Sequence, residues 1–500
     1  MTAFQNYVDG KWVPAASGET FLDTNPAHPS QVIGEFQRSG AEDVDAAVQA
    51  AARAQEGWRR TPAPLRGEIV ARATRLLTEQ KGELARTITQ EMGKVLVDAG
   101  YDVQGAITSG EYMSGEGRRM FGDTVPSGLP DRLAMTLREP VGVVGIVTPW
   151  NLPMLMPAWK LFPALVCGNT VVVKPAEDTP LTAVRLFEIL EEAGVPPGVA
   201  NLVTGYGPEA GQPLVTHPDL DMVSFTGSRA VGKQIAVSAG GELKHVSLEM
   251  GGKNALVVLD DADLEEAVTG ALWGGFSTSG QRCTASSRLV VDRKIADQVV
   301  DGLVEGMRSL VVGDPADPDT NVGPLINATQ LDRVHSYTGI GVEEGATLLV
   351  GGEKLGEDLD GGHFYAPTLF DHATPDMRIA QEEIFGPTIT VIRVDGYDEA
   401  IEVANGTRYG LSAAVYTRDT ARALRAVREL EAGLVYLNAP TIGSEIHLPF
   451  GGVKDTGNGH RESGTSAIDQ FTELKTVFLD YSGTLQRAHI DDPTSGDDSD

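Results

Sequence analysis

VGVVGIVTPWNLPMLMPAWKLFPALVCGNTVVVKPAEDTPLTAVRLFEILEEAGVPPGVANLVTG, residues 141–205, sets the fold class. VGVVGIV at 141–147 and TVVVK at 170–174 are short, almost wholly apolar runs rich in β-branched residues, the pattern of strands buried on both faces. LTAVRLFEILEEA at 181–193 has helical spacing, with Pro180 at its start and Gly194 just past its end. NLVTG at 201–205, MVSFTG at 222–227 and HVSLEM at 245–250 continue the alternation. Strand–helix–strand order of this kind predicts an α/β fold with a parallel sheet covered on both sides.

A second alternating series follows. ALVVL at 255–259, SRLVVD at 287–292, TITVIRV at 388–394, SAAVYT at 412–417 and GLVYLN at 433–438 read as strands, with a helix over 263–276. Gly251–Gly252 lies between the two series and suits a junction. Residues 42–94 are largely helical by pattern. RLAMTLR at 132–138 and LKTVFLDY at 474–481 alternate and belong to neither series, so they are expected to pair with each other or with another subunit.

The 500 residues exceed what one core usually supports, so separate cores are expected. The formal charge of −30 argues against nucleic acid or an anionic membrane as partner. It reads as a well-solvated surface, with salt adaptation as the alternative. No apolar stretch is long enough to cross a bilayer, and the N-terminus lacks a signal-peptide pattern. With only Cys167 and Cys283, no disulfide framework is expected, and a reducing cytoplasm is the simplest setting. Residues 488–500, ending in DDPTSGDDSD, are expected to form a disordered acidic tail.

Several positions carry chemistry. Cys283, in SGQRCT, has polar neighbours, and the adjacent Arg282 is expected to favour its thiolate. Cys167, in FPALVCGN, has a core context and reads as structural. Glu249 ends an apolar strand before two glycines, where a carboxylate can reach into a cleft. Asn151, in TPWNLP, can donate its amide to an oxyanion or simply occupy a turn. Lys174 and Glu177 lie just past a strand end, the edge at which open parallel sheets bind ligands, and can hold the hydroxyls of a ribose. Gly227–Ser228 leads from a strand into a helix whose first N–H groups can hold a phosphate, although the pattern is not the G-x-G-x-x-G fingerprint. Glu383 and Phe385, in EEIFGP, can hold a ribose and a flat heterocycle. Each of these positions also has an ordinary structural reading when taken alone.

In order along the chain, these motifs closely resemble the aldehyde dehydrogenase superfamily from about residue 5 to about 485. The combination of LEMGGKN at 248–254, GQRC with its cysteine 34 positions after the glutamate, and EEIFGP at 382–387 is the specific part. The resemblance implies a Rossmann-type NAD-binding domain (1–125 and 145–252), an α/β catalytic domain (253–440) and a small β oligomerisation element (126–144 and 465–487) in a homodimer or homotetramer. It implies Cys283 as nucleophile, Glu249 as general base and Asn151 as the side-chain half of an oxyanion hole. It implies Trp150, Lys174, Glu177, Gly227, Ser228, Glu383 and Phe385 as cofactor contacts, with NAD as cofactor, NADP as the alternative, and no metal. The implied reaction is aldehyde oxidation to a free acid through a thioester. Leu152 replaces a common aromatic, which leaves the shape of the substrate pocket open.

Residues 117–130, 280–288 and 438–464 are further similar to bacterial α-ketoglutaric semialdehyde dehydrogenases, with a general-purpose aldehyde dehydrogenase as the alternative. A cofactor-independent thiol esterase and a non-catalytic NAD-binding protein are the competing readings from other classes.

Overall fold

The computed structural model describes residues 2–356, 359 and 361–486; the acidic-tail expectation for 488–500 lies outside them. The first alternating series forms a seven-stranded sheet. Its order is His245–Met250, Met222–Gly227, Val143–Val147, Thr170–Lys174, Ala200–Leu202, Asn6–Val8, Lys11–Val13. The first five strands run parallel, and the two N-terminal strands close the edge as an antiparallel hairpin. All five residues of Thr170–Lys174 are buried. Burying each of Val171, Val172 and Val173 contributes about 1.5–3 kcal/mol, which is why the run needs no polar face. Helices Ala41–Arg60, Ala63–Glu79, Lys81–Met92 and Pro180–Glu192 form where the sequence pattern places them.

The second series forms another seven-stranded sheet. Its order is Thr347–Val350, Thr368–Asp371, Thr388–Val394, Arg288–Asp292, Ala255–Val258, Ser412–Tyr416, Leu434–Leu437, parallel except at Thr347–Val350. Separate apolar clusters fill the two faces of this sheet, and others pack the first, so each sheet organises its own core. Helix Leu264–Phe276 begins where Asp263 accepts from the Glu266 N–H at 3.2 Å. The two unplaced segments pair with each other: Thr472–Asp480 and Arg132–Pro140 run antiparallel with Thr476 opposite Thr136, and Thr124–Pro126 adds a third strand.

The pattern reading leaves several helices unplaced, and two of them contribute to the walls of the site. Leu96–Glu116 carries its stripe at Val103, Ala106, Ile107, Gly110 and Met113. Leu155–Cys167 is buried almost throughout, so it shows no amphipathic period, and it contains Pro157 and Pro163. Cys167 ends that helix inside the first core, as a structural residue should. No described helix is long and apolar enough to cross a membrane.

Parallel pairing delivers the candidate residues to one edge. Val147 stands opposite Lys174 and Phe225, and Thr226 stands opposite Glu249. The segments that leave these strand ends, with Trp150–Asn151, Glu177 and Gly227–Ser228, therefore emerge on the same side, toward the second sheet.

Candidate active site

Cys283 stands where two cavities meet. One, of about 250 Å³, is walled by Trp150, Gly227, Ser228, Gly251, Glu383 and Phe385. The other, of about 380 Å³, is walled by Trp159, Arg282, Thr284, His447 and Phe450. Cys283, Leu152 and Met156 line both. A group on the thiol therefore faces a glycine-lined chamber on one side and, on the other, a chamber whose aromatic walls also carry charged side chains. Lys174 and Glu177 lie at the same sheet edge but outside the lining of either chamber; Lys174 Nζ pairs with Glu177 Oε2 at 3.1 Å.

The loop that presents the thiol is held from below. Thr278 and Ser279 adopt left-handed backbone conformations, φ 54° and 56°. Asp98 Oδ2 secures that turn by accepting from Ser277 Oγ (2.9 Å), the Thr278 N–H (2.7 Å) and Thr278 Oγ1 (2.9 Å). Asn254 Nδ2 donates to the carbonyls of Cys283 (2.8 Å) and Ala285 (3.0 Å). Asn151 is buried, and its Nδ2 donates to the Gln281 carbonyl at 3.0 Å. That bond uses one of its two amide hydrogens and orients the amide beside the Cys283 loop.

The thiol environment corrects one expectation. Burial pushes Cys283 up to about 12, with the Glu383 and Glu249 carboxylates adding to the rise; Arg282 opposes them but does not prevail. Much of Arg282 is committed elsewhere, for its Nη2 pairs with Asp98 Oδ1 at 3.5 Å and its Nε donates to Thr278 Oγ1 at 3.0 Å. The arginine thus braces the turn as much as it activates the thiol.

Glu249 is 3% exposed, and neither of its carboxylate oxygens is held by a well-formed hydrogen bond. A Cβ on Gly451, which sits at φ +148°, would come within 2.5 Å of Glu249 Oε1, so glycine there makes room for the carboxylate. Burial, then Glu462, pushes the Glu249 pKa well above the ordinary range, while Lys160 and Arg461 pull it down. Lys160 Nζ makes an ion pair with Glu462 Oε1, both side chains nearly sealed from solvent, and also donates to Ser224 Oγ at 3.2 Å. Burial of this kind favours the neutral carboxyl and makes the ionised form a stronger base than an exposed glutamate.

On the other wall, Glu383 Oε1 accepts from the Gly252 N–H at 3.1 Å, and burial pushes its pKa up to about 7. A Cβ on Gly251 would lie 2.0 Å from Glu383 Oε2, so the carboxylate seats directly against bare backbone. Trp150 and Phe385 meet edge to face with centroids 5.3 Å apart, and Phe385 holds φ +62°. Ser228 caps the helix Arg229–Gly240, its Oγ 3.4 Å from the Val231 N–H. A carboxylate, aromatic walls, glycines and a helix start around one chamber fit a nucleotide cofactor: acceptors for hydroxyls, flat surfaces for a ring, N–H groups for a phosphate.

Asp98, Lys160, Asn254 and Glu462 are the site residues that the sequence reading passes over. Lys160 carried a usable signal, since a charged residue inside LMPAWKLFPALVC implies a buried partner. Asn254 and Glu462 look like ordinary polar residues until the chain is folded.

The aldehyde dehydrogenase family model matches residues 12–477. The chain is 43% identical over 477 residues to the α-ketoglutaric semialdehyde dehydrogenase of Bacillus subtilis, covering 95% of this chain and 98% of the relative. It is 44% identical over 479 residues to the α-ketoglutarate semialdehyde dehydrogenase of Haloferax volcanii, covering 95% and 99%. Among solved structures, betaine aldehyde dehydrogenase of Staphylococcus aureus in complex with NAD⁺ superposes with a TM-score of 0.94 at 37% identity, covering 96% of each chain.

Proposed function

The chain belongs to the aldehyde dehydrogenase family, and we propose that it oxidises an aldehyde to the free carboxylic acid with NAD, through a covalent intermediate on Cys283. The observation that carries this reading is the position of the Cys283 side chain at the meeting point of the two cavities. The chamber of Glu383 and Phe385 takes the cofactor, and the chamber of Trp159 and Phe450 takes the aldehyde.

The thiolate of Cys283 attacks the aldehyde carbon and forms a C–S bond. Asn151 Nδ2 and the Cys283 N–H donate to the resulting oxyanion; one such donor is typically worth about 3 kcal/mol of barrier. Bound NAD would supply the acceptor for the hydride of this carbon, whose loss leaves a thioester on Cys283. Glu249 then removes a proton from a water that attacks the thioester; the C–S bond breaks, and the acid departs. Glu383 would accept from ribose hydroxyls on the nicotinamide side, Phe385 and Trp150 would wall the ring, and the helix start at Gly227–Ser228 would hold the pyrophosphate. Lys174 and Glu177, at the same sheet edge, would hold the adenosine ribose, and the negative charge on Glu177 would favour NAD over NADP.

The first sheet and its helices form the cofactor domain (1–125 and 145–252), and the second forms the catalytic domain (253–440). The three-stranded sheet, with Leu474, Phe478 and Leu479 exposed on one strand, serves as the oligomerisation element.

For the substrate we infer α-ketoglutaric semialdehyde. Its support is the likeness to the two relatives above and Arg282, a guanidinium in the aldehyde chamber with donors beyond those it spends on Asp98 and Thr278. A general-purpose specificity is the second reading, favoured by the acidic Asp98 and Glu445 in the same lining. The semialdehyde should outrun a neutral aldehyde of equal length by well over tenfold in kcat/KM, since a charge-assisted hydrogen bond is worth about 1.5–3 kcal/mol. Arg282→Ala should erase that ratio. Equal rates on both compounds would leave the general-purpose reading standing.

The covalent step has its own test. Glu249→Gln enzyme mixed with NAD and aldehyde should accumulate an acyl adduct on Cys283, visible as an intact-mass increase, with a burst of about one NADH per site. Hydrolysis of an ester through Cys283 at the same rate without NAD, with no NADH formed from any aldehyde, would point to an esterase instead.

A further inference from the structure

The segment Gly251–Asn254 is tied down at every residue. Thr456 Oγ1 donates to the Gly251 carbonyl at 3.1 Å, and the Gly252 N–H donates to Glu383 Oε1 at 3.1 Å. Arg288 Nε donates to the Lys253 carbonyl at 3.0 Å, and Asn254 Nδ2 reaches the Cys283 carbonyl. The side chain of Lys253 is the exception. It is 2% exposed, and its Nζ has no hydrogen-bond partner among the described residues. Ser412 Oγ is in the same condition. Both residues line a small cleft of about 10 Å³, close to the space of one water molecule, with the exposed Glu431 at its edge.

A buried ammonium without a direct anionic contact is costly, and a methionine of similar length would avoid that cost. Nor does its neighbour relieve it. Arg288 is also fully buried, and its guanidinium spends its donors on the carbonyls of Lys253, Val403 and Ala404 rather than on an acid. The carboxylates whose charge reaches Lys253 are Glu383 first and then Glu382.

We propose that Lys253 is a positioning residue for the cofactor chamber: its ammonium, solvated by one water shared with Ser412, keeps Glu383 charged and seated on the Gly252 N–H. The inference rests on the reading of Glu383 as a cofactor contact. Burial drives Glu383 toward its neutral form and Lys253 toward its own, each to about 7, and each opposes the other's loss of charge. The other charged or titratable groups facing the pair are Arg333, Tyr409, Cys283, Arg288 and Glu382, with Glu431 at the edge of the Lys253 cleft, where it pairs with Lys454. Arg333 also supports the Glu383 carboxylate, and its Nη2 donates to the Glu383 carbonyl at 2.7 Å, but Arg333 is exposed. Salt therefore weakens the influence of Arg333 and leaves that of Lys253 nearly intact. A neutral residue at 253 lets the Glu383 pKa rise further, so the carboxylate is lost at neutral pH and regained in alkali.

NADH binding, followed by fluorescence without any turnover, tests this. Lys253→Met and Lys253→Gln should each weaken NADH about fivefold near pH 7, because raising a pKa of about 7 by about one unit cuts the charged fraction from about a half to about a tenth, and should match the native protein within about twofold near pH 9. Adding Lys253→Met to Glu383→Gln should weaken binding no further. Equal weakening at every pH, or an effect that persists beside Glu383→Gln, overturns the proposal. The native protein supplies a second measurement that needs no folded variant. Its NADH affinity should fall as pH drops through neutrality, with the same midpoint at low and high salt. A midpoint that climbs with salt assigns the role to Arg333 and overturns the proposal as well. Failure of the native protein to bind NADH at any pH would instead remove the reading of the chamber itself.

Discussion

Asn254 Nδ2 donates to the Cys283 carbonyl at 2.8 Å, while its Oδ1 accepts from the Ser412 N–H at 3.1 Å. One amide thus links the thiol loop to a strand of the second sheet. With the Ala285 carbonyl, three main-chain groups depend on it.

Asn254→Ala should orphan all three groups and destabilise the protein by about 3 kcal/mol, at about 1 kcal/mol or more for each buried group left unpaired. Urea unfolding measures the loss. Because the thiol loop is what slackens, kcat should fall by more than NADH affinity. A variant as stable as the native protein would show that water replaces the amide.

The crowded thiol of Cys283, raised by burial, Glu383 and Glu249, should alkylate slowly at neutral pH without cofactor. A raised pKa means the thiolate is scarce at low pH and grows as pH rises toward the folded value. Inactivation by iodoacetamide should therefore keep accelerating through about pH 9, at about tenfold per unit. Cys283→Ala should remove the labelling and all turnover, since Cys167 is buried in the first core. A rate plateau reached below neutrality would show that Arg282 controls the thiol after all.

Glu177→Ser should shift cofactor choice. Glu177 is held by Lys174 Nζ at 3.1 Å, and removing its carboxylate relieves the like-charge repulsion toward a 2′-phosphate. The ratio of kcat/KM for NADP to that for NAD should rise about tenfold. An unchanged ratio would place the 2′ position away from residue 177.

Asp23, on strand Thr20–Asn25, is buried against Glu91 of helix Lys81–Met92. Burial first, then Glu91, raises its pKa far above that of an exposed aspartate. For a carboxyl raised in the folded state, the contribution to stability is full below the unfolded pKa and is lost as pH rises toward the folded one. Asp23→Asn removes that loss. Its Tm should exceed the native value by about 2 °C or more in mild alkali, and the two should converge near pH 4. A variant that melts lower than the native protein throughout would mean that the protonated carboxyl makes a contact the amide cannot.

How much of this was legible beforehand differs by residue. Cys283, Glu249, Trp150, Asn151 and Glu383 sit in local motifs, and each motif lies at a strand end or beside a turn whose backbone sets its direction. The two parallel sheets were legible because strands buried on both faces leave continuous apolar runs such as TVVVK, and helices between them keep their own period. The helix Leu155–Cys167 was not, because burial on all sides erases the amphipathic pattern that periodicity depends on.

The sequence by itself determined most of the parallel strands, their shared sense and which candidate side chains lie at their ends, because backbone geometry and burial act over a few residues. Tertiary structure alone decided which charges meet. The Lys160–Glu462 pair beside Glu249 joins residues 302 apart, and the Asp98 bonds to Thr278 span 180. It also decided that burial and two carboxylates outweigh Arg282 at the thiol. Such balances depend on desolvation and on distances through space, and neither quantity exists until the chain has folded.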